Sequence, residues 1–196
     1  MTLQLSIQDL VPVSEGTTAA EALARVAELA QLGEALGYQR VWYAEHHSMA
    51  NIASSAPDVL IAHVAARTDR IRIGAGGVML PNHVPLRVAE TYRTLEALYP
   101  GRIDLGIGRA GGADEDALRA LRSAGGERFP SLMAELATFE RSGYPPEHPF
   151  GRVQVVPGEM ALPPIWILGS SGASASYAGA GGFGYAFASH FSPAPA

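Results

Sequence analysis

Short apolar runs alternate along this chain with longer segments of helical period, and the runs end abruptly in polar clusters. Val41-Trp42-Tyr43-Ala44 leads into Glu45-His46-His47, and Ile71-Arg72-Ile73-Gly74-Ala75 into Gly76-Gly77. Ile103 to Gly108 ends at Arg109, and Ile165-Trp166-Ile167-Leu168 at Gly169-Ser170-Ser171-Gly172. Strands in strict alternation with helices specify a parallel sheet, because each parallel pair needs a long crossover and a helix supplies it. Polar residues at the carboxyl ends of such strands are where α/β barrels and doubly wound sheets gather reactive groups, since the βα loops converge there. The pattern points to an enzyme.

Period and punctuation place the elements. Leu3 to Ile7 alternates at strand period before Pro12, and Leu23, Val26, Ala27, Ala30 and Leu36 recur at helical spacing between the caps Thr17/Thr18 and Gly37. Strands are predicted over 40–44, 71–78, 103–107, 165–168 and 185–188, with helices over 57–66, 85–99 and 173–180. Residues 113 to 142 read as helical with interruptions at Gly125-Gly126 and Pro130, and 143 to 164 is rich in proline and glycine.

After the first strand stands Val11-Pro12-Val13-Ser14-Glu15-Gly16 instead of the glycine fingerprint of a dinucleotide fold, which favours a barrel over a Rossmann sheet. The expected fold is a TIM-type (β/α)8 barrel, incomplete here with about six βα units, because eight units take ~250 residues and the chain has 196. It is expected to form one domain over residues 1–196, with 125–164 as a long irregular connection.

A formal net charge of −5, from 14 Lys+Arg against 19 Asp+Glu, leaves no basic stripe to neutralise a phosphate backbone, so neither nucleic acid nor an anionic membrane is an expected partner. With no cysteine, thiolate metal sites, disulfides and cysteine nucleophiles are excluded. No basic segment followed by an apolar run opens the sequence, and a cytoplasmic location is the expectation.

The combination of Ala44-Glu45-His46-His47, Gly76-Gly77-Val78-Met79-Leu80-Pro81-Asn82-His83, the run from Pro100 to Arg109, Leu168-Gly169-Ser170-Ser171-Gly172 and Ser189-His190-Phe191-Ser192-Pro193 resembles the bacterial luciferase-like, flavin-dependent monooxygenases. The resemblance covers essentially the whole chain. It implies a (β/α)8 barrel that takes FMN as FMNH2 from a separate, transiently associating flavin reductase, activates O2 on it and oxygenates a small organic substrate. It also implies that Gly76-Gly77 forms a non-proline cis peptide beneath the flavin ring, that Arg109 and the turn Ser170 to Ser174 hold the phosphate, and that His46 sits near the reacting flavin. Luciferase-like proteins are commonly dimeric, so a homodimer or other self-association is expected. A deazaflavin in place of FMN is compatible with the same motifs.

The residue chemistry is consistent with these roles and leaves alternatives beside them. The planar donors of Arg109 suit a phosphate, although Asp104, Asp114 or Glu115 could instead pair with it; strand alternation disfavours Asp104. Gly169, Ser170, Ser171, Gly172 and Ser174 open a helix whose free N–H groups attract an anion, and Ser170 or Ser171 could equally be an ordinary cap. Gly76 and Gly77, lacking Cβ atoms, suit close approach of a flat ring or a β-bulge. His46 is the expected catalytic residue, able to transfer a proton near neutral pH, whereas Glu45 reads as its supporting partner and His47 as structural or functional. Asn82 and His83 read as loop residues, and no metal site is expected. The alternative reading is a flavin-binding protein without turnover, or an inactive fragment.

Overall fold

The computed structural model describes residues 3–141 and 143–191. Six parallel strands lie in sequence order: β1 (Ser6–Asp9), β2 (Arg40–Tyr43), β3 (Arg72–Met79), β4 (Ile103–Gly108), β5 (Ile165–Gly169) and β6 (Gly184–Phe187). The crossovers carry α1 (Ala19–Ala24), α2 (Val26–Ala35), α3 (Pro57–Ala65), α4 (Pro85–Leu98), α5 (Glu115–Ala120), α6 (Phe129–Arg141) and α7 (Gly172–Gly181). This is the expected incomplete barrel of βα units.

Several boundaries differ from the sequence reading for identifiable reasons. The first strand begins at Ser6, not Leu3, because pairing starts at Ser6 opposite Arg40, and Leu3 is left 81% exposed. The first helix breaks at Arg25 into α1 and α2; Thr18 starts it with a reciprocal capping box to Glu21. Pro130 does not interrupt a helix but lies in the first turn of α6, where its missing N–H has no intrahelical partner to lose. Residues 125–164 are therefore not irregular throughout: α6 occupies 13 of them, and the stretch without regular structure follows it. Helix α7 runs through Gly179 and closes at Gly182, whose φ of 69° is the left-handed conformation that glycine adopts without a Cβ clash.

Strand alternation separates two faces. Val41, Tyr43, Ile73, Ala75, Ile103, Leu105, Ile107 and Ile167 face outward and join Ala30, Ile61, Val64, Val88, Tyr92 and Leu136 of the helices in one apolar core. The opposite face, toward the barrel axis, carries Gln8, Trp42, Gly74, Asp104 and Trp166. Its floor is polar: Asp104, 1% exposed, takes the Arg72 Nη2 at 2.6 Å and Nε at 3.0 Å, the Trp42 indole N–H at 3.0 Å and Arg40 at 3.4 Å. The Arg40 guanidinium also lies 4.7 Å from the Trp166 ring centroid, a cation–π distance. This cluster fills the amino ends of the strands and leaves the carboxyl ends for chemistry. No helix among the described residues is long and apolar enough to cross a membrane.

Candidate active site

Three groups of predicted residues meet at the carboxyl ends of β2 to β5. Gly108 pairs with Leu168 across β4 and β5, so Arg109 and Gly169 are the next residues on adjacent parallel strands, a spacing of ~5 Å. The three carboxylates nearest to Arg109 in sequence, Asp104, Asp114 and Glu115, are engaged elsewhere. Asp104 binds Arg72 and Arg40, Asp114 accepts the Ala117 N–H at 2.8 Å as the α5 cap, and Glu115 lies 3.9 Å from Arg119. Among the described residues the exposed Arg109 forms no ion pair.

The turn after β5 is built by close approach. A Cβ on Gly169 would lie 2.5 Å from Ser174 Cβ, so the glycine lets Ser174 fold back onto the strand end. Ser171 caps α7, with its Oγ accepting the Ser174 N–H at 3.4 Å and lying 3.1 Å from Ser174 Oγ. The Tyr185 hydroxyl clamps the turn from β6 by donating to the Gly169 and Ser171 carbonyls at 3.0 and 3.2 Å. Capping uses the Ser174 amide; the Gly172 and Ala173 amides head the helix, where no preceding turn offers them a carbonyl. The positive end of α7 therefore follows β5, the strand next to the one that Arg109 ends, with Ser170 leading into it.

Gly76 and Gly77 are buried in β3 and joined by a cis peptide bond, and the register to β4 shifts between Ala75 and Val78, so the bulge and the cis bond occur together. A Cβ on Gly77 would lie 2.9 Å from the Gly106 backbone. A Cβ on Gly76 would collide with the Gln8 side chain, whose amide donates to the Gly76 carbonyl at 2.5 Å. Gln8 thus fixes this segment from β1.

His46 is half-buried just beyond β2, its backbone N–H donating to the Ser54 carbonyl at 2.9 Å, while Nδ1 is buried without a partner among the described residues. Burial, aided by the adjacent His47, pulls its pKa below the ordinary imidazole value. His47 instead turns to Glu45, with Nε2 3.0 Å from Oε1, and its N–H donates to the Gly112 carbonyl at 3.0 Å. His190 is exposed and packs against Phe191 at 4.2 Å; Ser192 and Pro193 lie outside the described residues.

Glu45, read from sequence only as a supporting partner, is the hub of this end of the sheet, and Asn82 and His83, read as loop residues, are its ligands. His83 Nε2 lies 2.9 Å from both carboxylate oxygens, the Met79 N–H donates to Oε2 at 2.9 Å, and Asn82 Nδ2 to Oε1 at 3.4 Å. Burial alone would raise the Glu45 pKa; the donors of His83, His47 and Met79 outweigh it and hold the carboxyl below the ordinary range. The counterpart His83 is lowered by burial but raised overall by Glu45. The signal was available in the sequence, since a carboxylate directly following four apolar residues is destined for burial and must recruit donors.

The family description for luciferase-like monooxygenases matches residues 3–196. A luciferase-like monooxygenase of Escherichia coli is 48% identical over 195 residues, which are 98% of this chain and 57% of that protein. The N-acetyl-S-alkylcysteine monooxygenase of Bacillus subtilis is 41% identical over 189 residues, 95% of this chain and 57% of the relative. The solved structure of apo-MsnO8 superposes with a TM-score of 0.89 at 42% identity, covering 98% of this chain and 57% of its own. The chain thus spans somewhat more than half the length of the relatives it matches. With residues 3–196 matched and the parallel βα architecture observed, the chain belongs to the luciferase-like monooxygenase family.

Proposed function

We propose that this chain binds reduced FMN delivered by a separate flavin reductase and, with O2, oxygenates a small organic substrate. One observation carries the reading: an arginine without an ion pair among the described residues directly follows the strand beside the one that feeds the open head of α7. Two negative charges of a flavin phosphate are compensated better by a guanidinium and a helix N-terminus together than by either alone. FMN, when bound, supplies the electrons that activate O2.

The chain's own residues would then divide the work. Arg109, Ser170, Ser171, Ser174 and the Gly172 amide hold the phosphate, with Gly169 allowing the turn to close. Gly76 and Gly77 present backbone without side chains to the flat ring, and Gln8 holds the Gly76 carbonyl in place. His46, with a lowered pKa and an unpartnered nitrogen, is the proton-transfer group at the reacting face. Substrates of the S-alkylcysteine kind are the first to offer, because a relative 41% identical is named for them. A cytoplasmic site of action goes with this reading, since a reductase must hand over the flavin.

A second copy of this chain is the proposed macromolecular partner. A cleft of about 390 Å³ between α3 and α4 is lined by Glu45, Asp58, Asn82, His83 and Tyr92, and exposed Val59 and Val84 sit on the elements that form it. A docked copy would cover the apolar surface of the exposed Val59 and Val84 side chains.

Aerobic mixing of the chain with photoreduced FMN tests the catalytic reading. Flavin reoxidation slowed by protein, with O2 uptake matched to loss of an S-alkylcysteine derivative, supports it. Reoxidation at the rate of free flavin contradicts flavin binding, and tight binding without substrate loss favours a flavin carrier without turnover.

A further inference from the structure

We propose that Glu45 is a positioning residue that sets the placement of the His46 imidazole, by tying together the loops that follow β2, β3 and β4. The functional half of this inference rests on the flavin monooxygenase reading; the structural half stands on the contacts alone. Glu45 is 1% exposed, yet its two oxygens accept from Met79 at the end of β3, from Asn82 and His83 beyond it, and from His47 in its own loop. The third loop is drawn in at second hand. Asn82 Nδ2 also donates to the Gly111 carbonyl at 2.8 Å, and the His47 N–H reaches the Gly112 carbonyl.

His46 lies between these anchors. On one side Glu45 is fixed by its side chain; on the other His47 is fixed by both side chain and backbone, and the His46 N–H is itself held by Ser54. The main chain at His46 has little freedom, whereas its ring, alone among the imidazoles of Glu45-His46-His47 and His83, is not bound to the carboxylate. A carboxylate suits this task because it offers several acceptor positions to donors arriving from different directions. It also fixes the Nε2–H form of both His47 and His83, leaving neither free to compete for His46.

A purely stabilising carboxylate and a positioning one differ in what their loss changes. Misplacing a proton-transfer group by about 1 Å costs up to about a hundredfold in rate while leaving distant binding contacts intact. Glu45→Gln retains an acceptor for the Met79 N–H but cannot accept from both histidines, so it loosens the tie without emptying the site. The 196-residue chain with this substitution is expected to bind FMN within about threefold of the parent, to leave KM nearly unchanged and to lose about ten- to hundredfold in kcat. The His46 ring resonances in an imidazole-detected NMR spectrum are expected to shift or broaden, and His83→Gln, which removes a donor from the outer side, is expected to move the same resonances.

Unmoved His46 resonances in both variants overturn the inference, whatever the activity. So does a kcat equal to that of the parent, or a loss of kcat matched by an equal loss of FMN affinity. A parent chain that neither binds nor turns over flavin defeats the monooxygenase reading instead, and the resonances still decide the positioning claim. Where Glu45→Gln does not fold, the His83→Gln spectrum alone supports or overturns it.

Discussion

Gly108 of β4 stands opposite Leu168 of β5, and that single register pair brings the arginine that ends one strand beside the serine-lined turn that ends the next. The candidate phosphate site is thus a consequence of parallel pairing: residues far apart in sequence become neighbours because each is the first residue past a paired strand end. The same geometry puts Glu45, Gly76 and Gly77 on the preceding strands of the same rim.

His46→Ala is expected to bind FMN nearly as the parent does while losing oxygenation by about 10²- to 10⁴-fold, the usual worth of a positioned general acid or base. Product formation per flavin oxidised is the measurement. Comparable coupling in the two proteins would return His46 to a structural role.

The Glu45–His83 pair makes stability depend on pH from both sides. His83 is raised from an ordinary value of 6.5, so its contribution is full below that value and fades as pH rises through the folded pKa. Glu45 is lowered from 4.5, so its contribution is full above that value and fades as pH falls through the folded pKa. The pair contributes fully between about pH 4.5 and 6.5. Melting temperatures of the parent and Glu45→Gln across pH 4 to 9 should differ most inside that window; a constant difference would show that the pair is not titrating as described.

Asp104→Ala removes the only carboxylate facing Arg72 and Arg40 in the barrel floor among the described residues. Breaking a buried pair costs about 3–5 kcal/mol, and since Arg72 remains 24% exposed the expected loss is nearer about 2–3 kcal/mol. Denaturant unfolding measures it. A change below about 0.5 kcal/mol, the size typical of surface substitutions, would mean that solvent already screens the cluster.

Much of this was legible in the sequence, and the failures have physical causes. Strand and helix order followed from the apolar runs, and Arg109, Gly76-Gly77 and Gly169 to Ser174 were found because strand ends are marked by polar or glycine residues. Gln8, Asn82 and His83 were not, because their importance comes from partners distant in sequence: Gln8 meets Gly76 across β2, and His83 meets Glu45. Pro130 reads from sequence as a break, since the same residue stops a helix interior and starts a helix.

Self-association is expected through the α3–α4 cleft or through the edges β1 and β6, which pair with no further strand among the described residues. Sedimentation at micromolar concentration should give a species heavier than the 20.6 kDa chain. Val59→Lys together with Val84→Lys should shift it toward the monomer if the cleft is the contact, and leave it unchanged if the sheet edges are. A compact monomer for the parent would contradict the self-association proposal.

Arg109 and the head of α7 are proposed to hold a flavin phosphate. Affinities of the parent chain and Arg109→Ala for FMN and for riboflavin, which lacks the phosphate, test it most directly. The parent is expected to prefer FMN strongly, and Arg109→Ala to lose about 2 kcal/mol or more of FMN binding, in line with a lost charge-assisted contact, while riboflavin affinity stays the same. Equal affinities of the parent for FMN and riboflavin, or an Arg109→Ala protein that binds FMN as tightly as the parent, would contradict it.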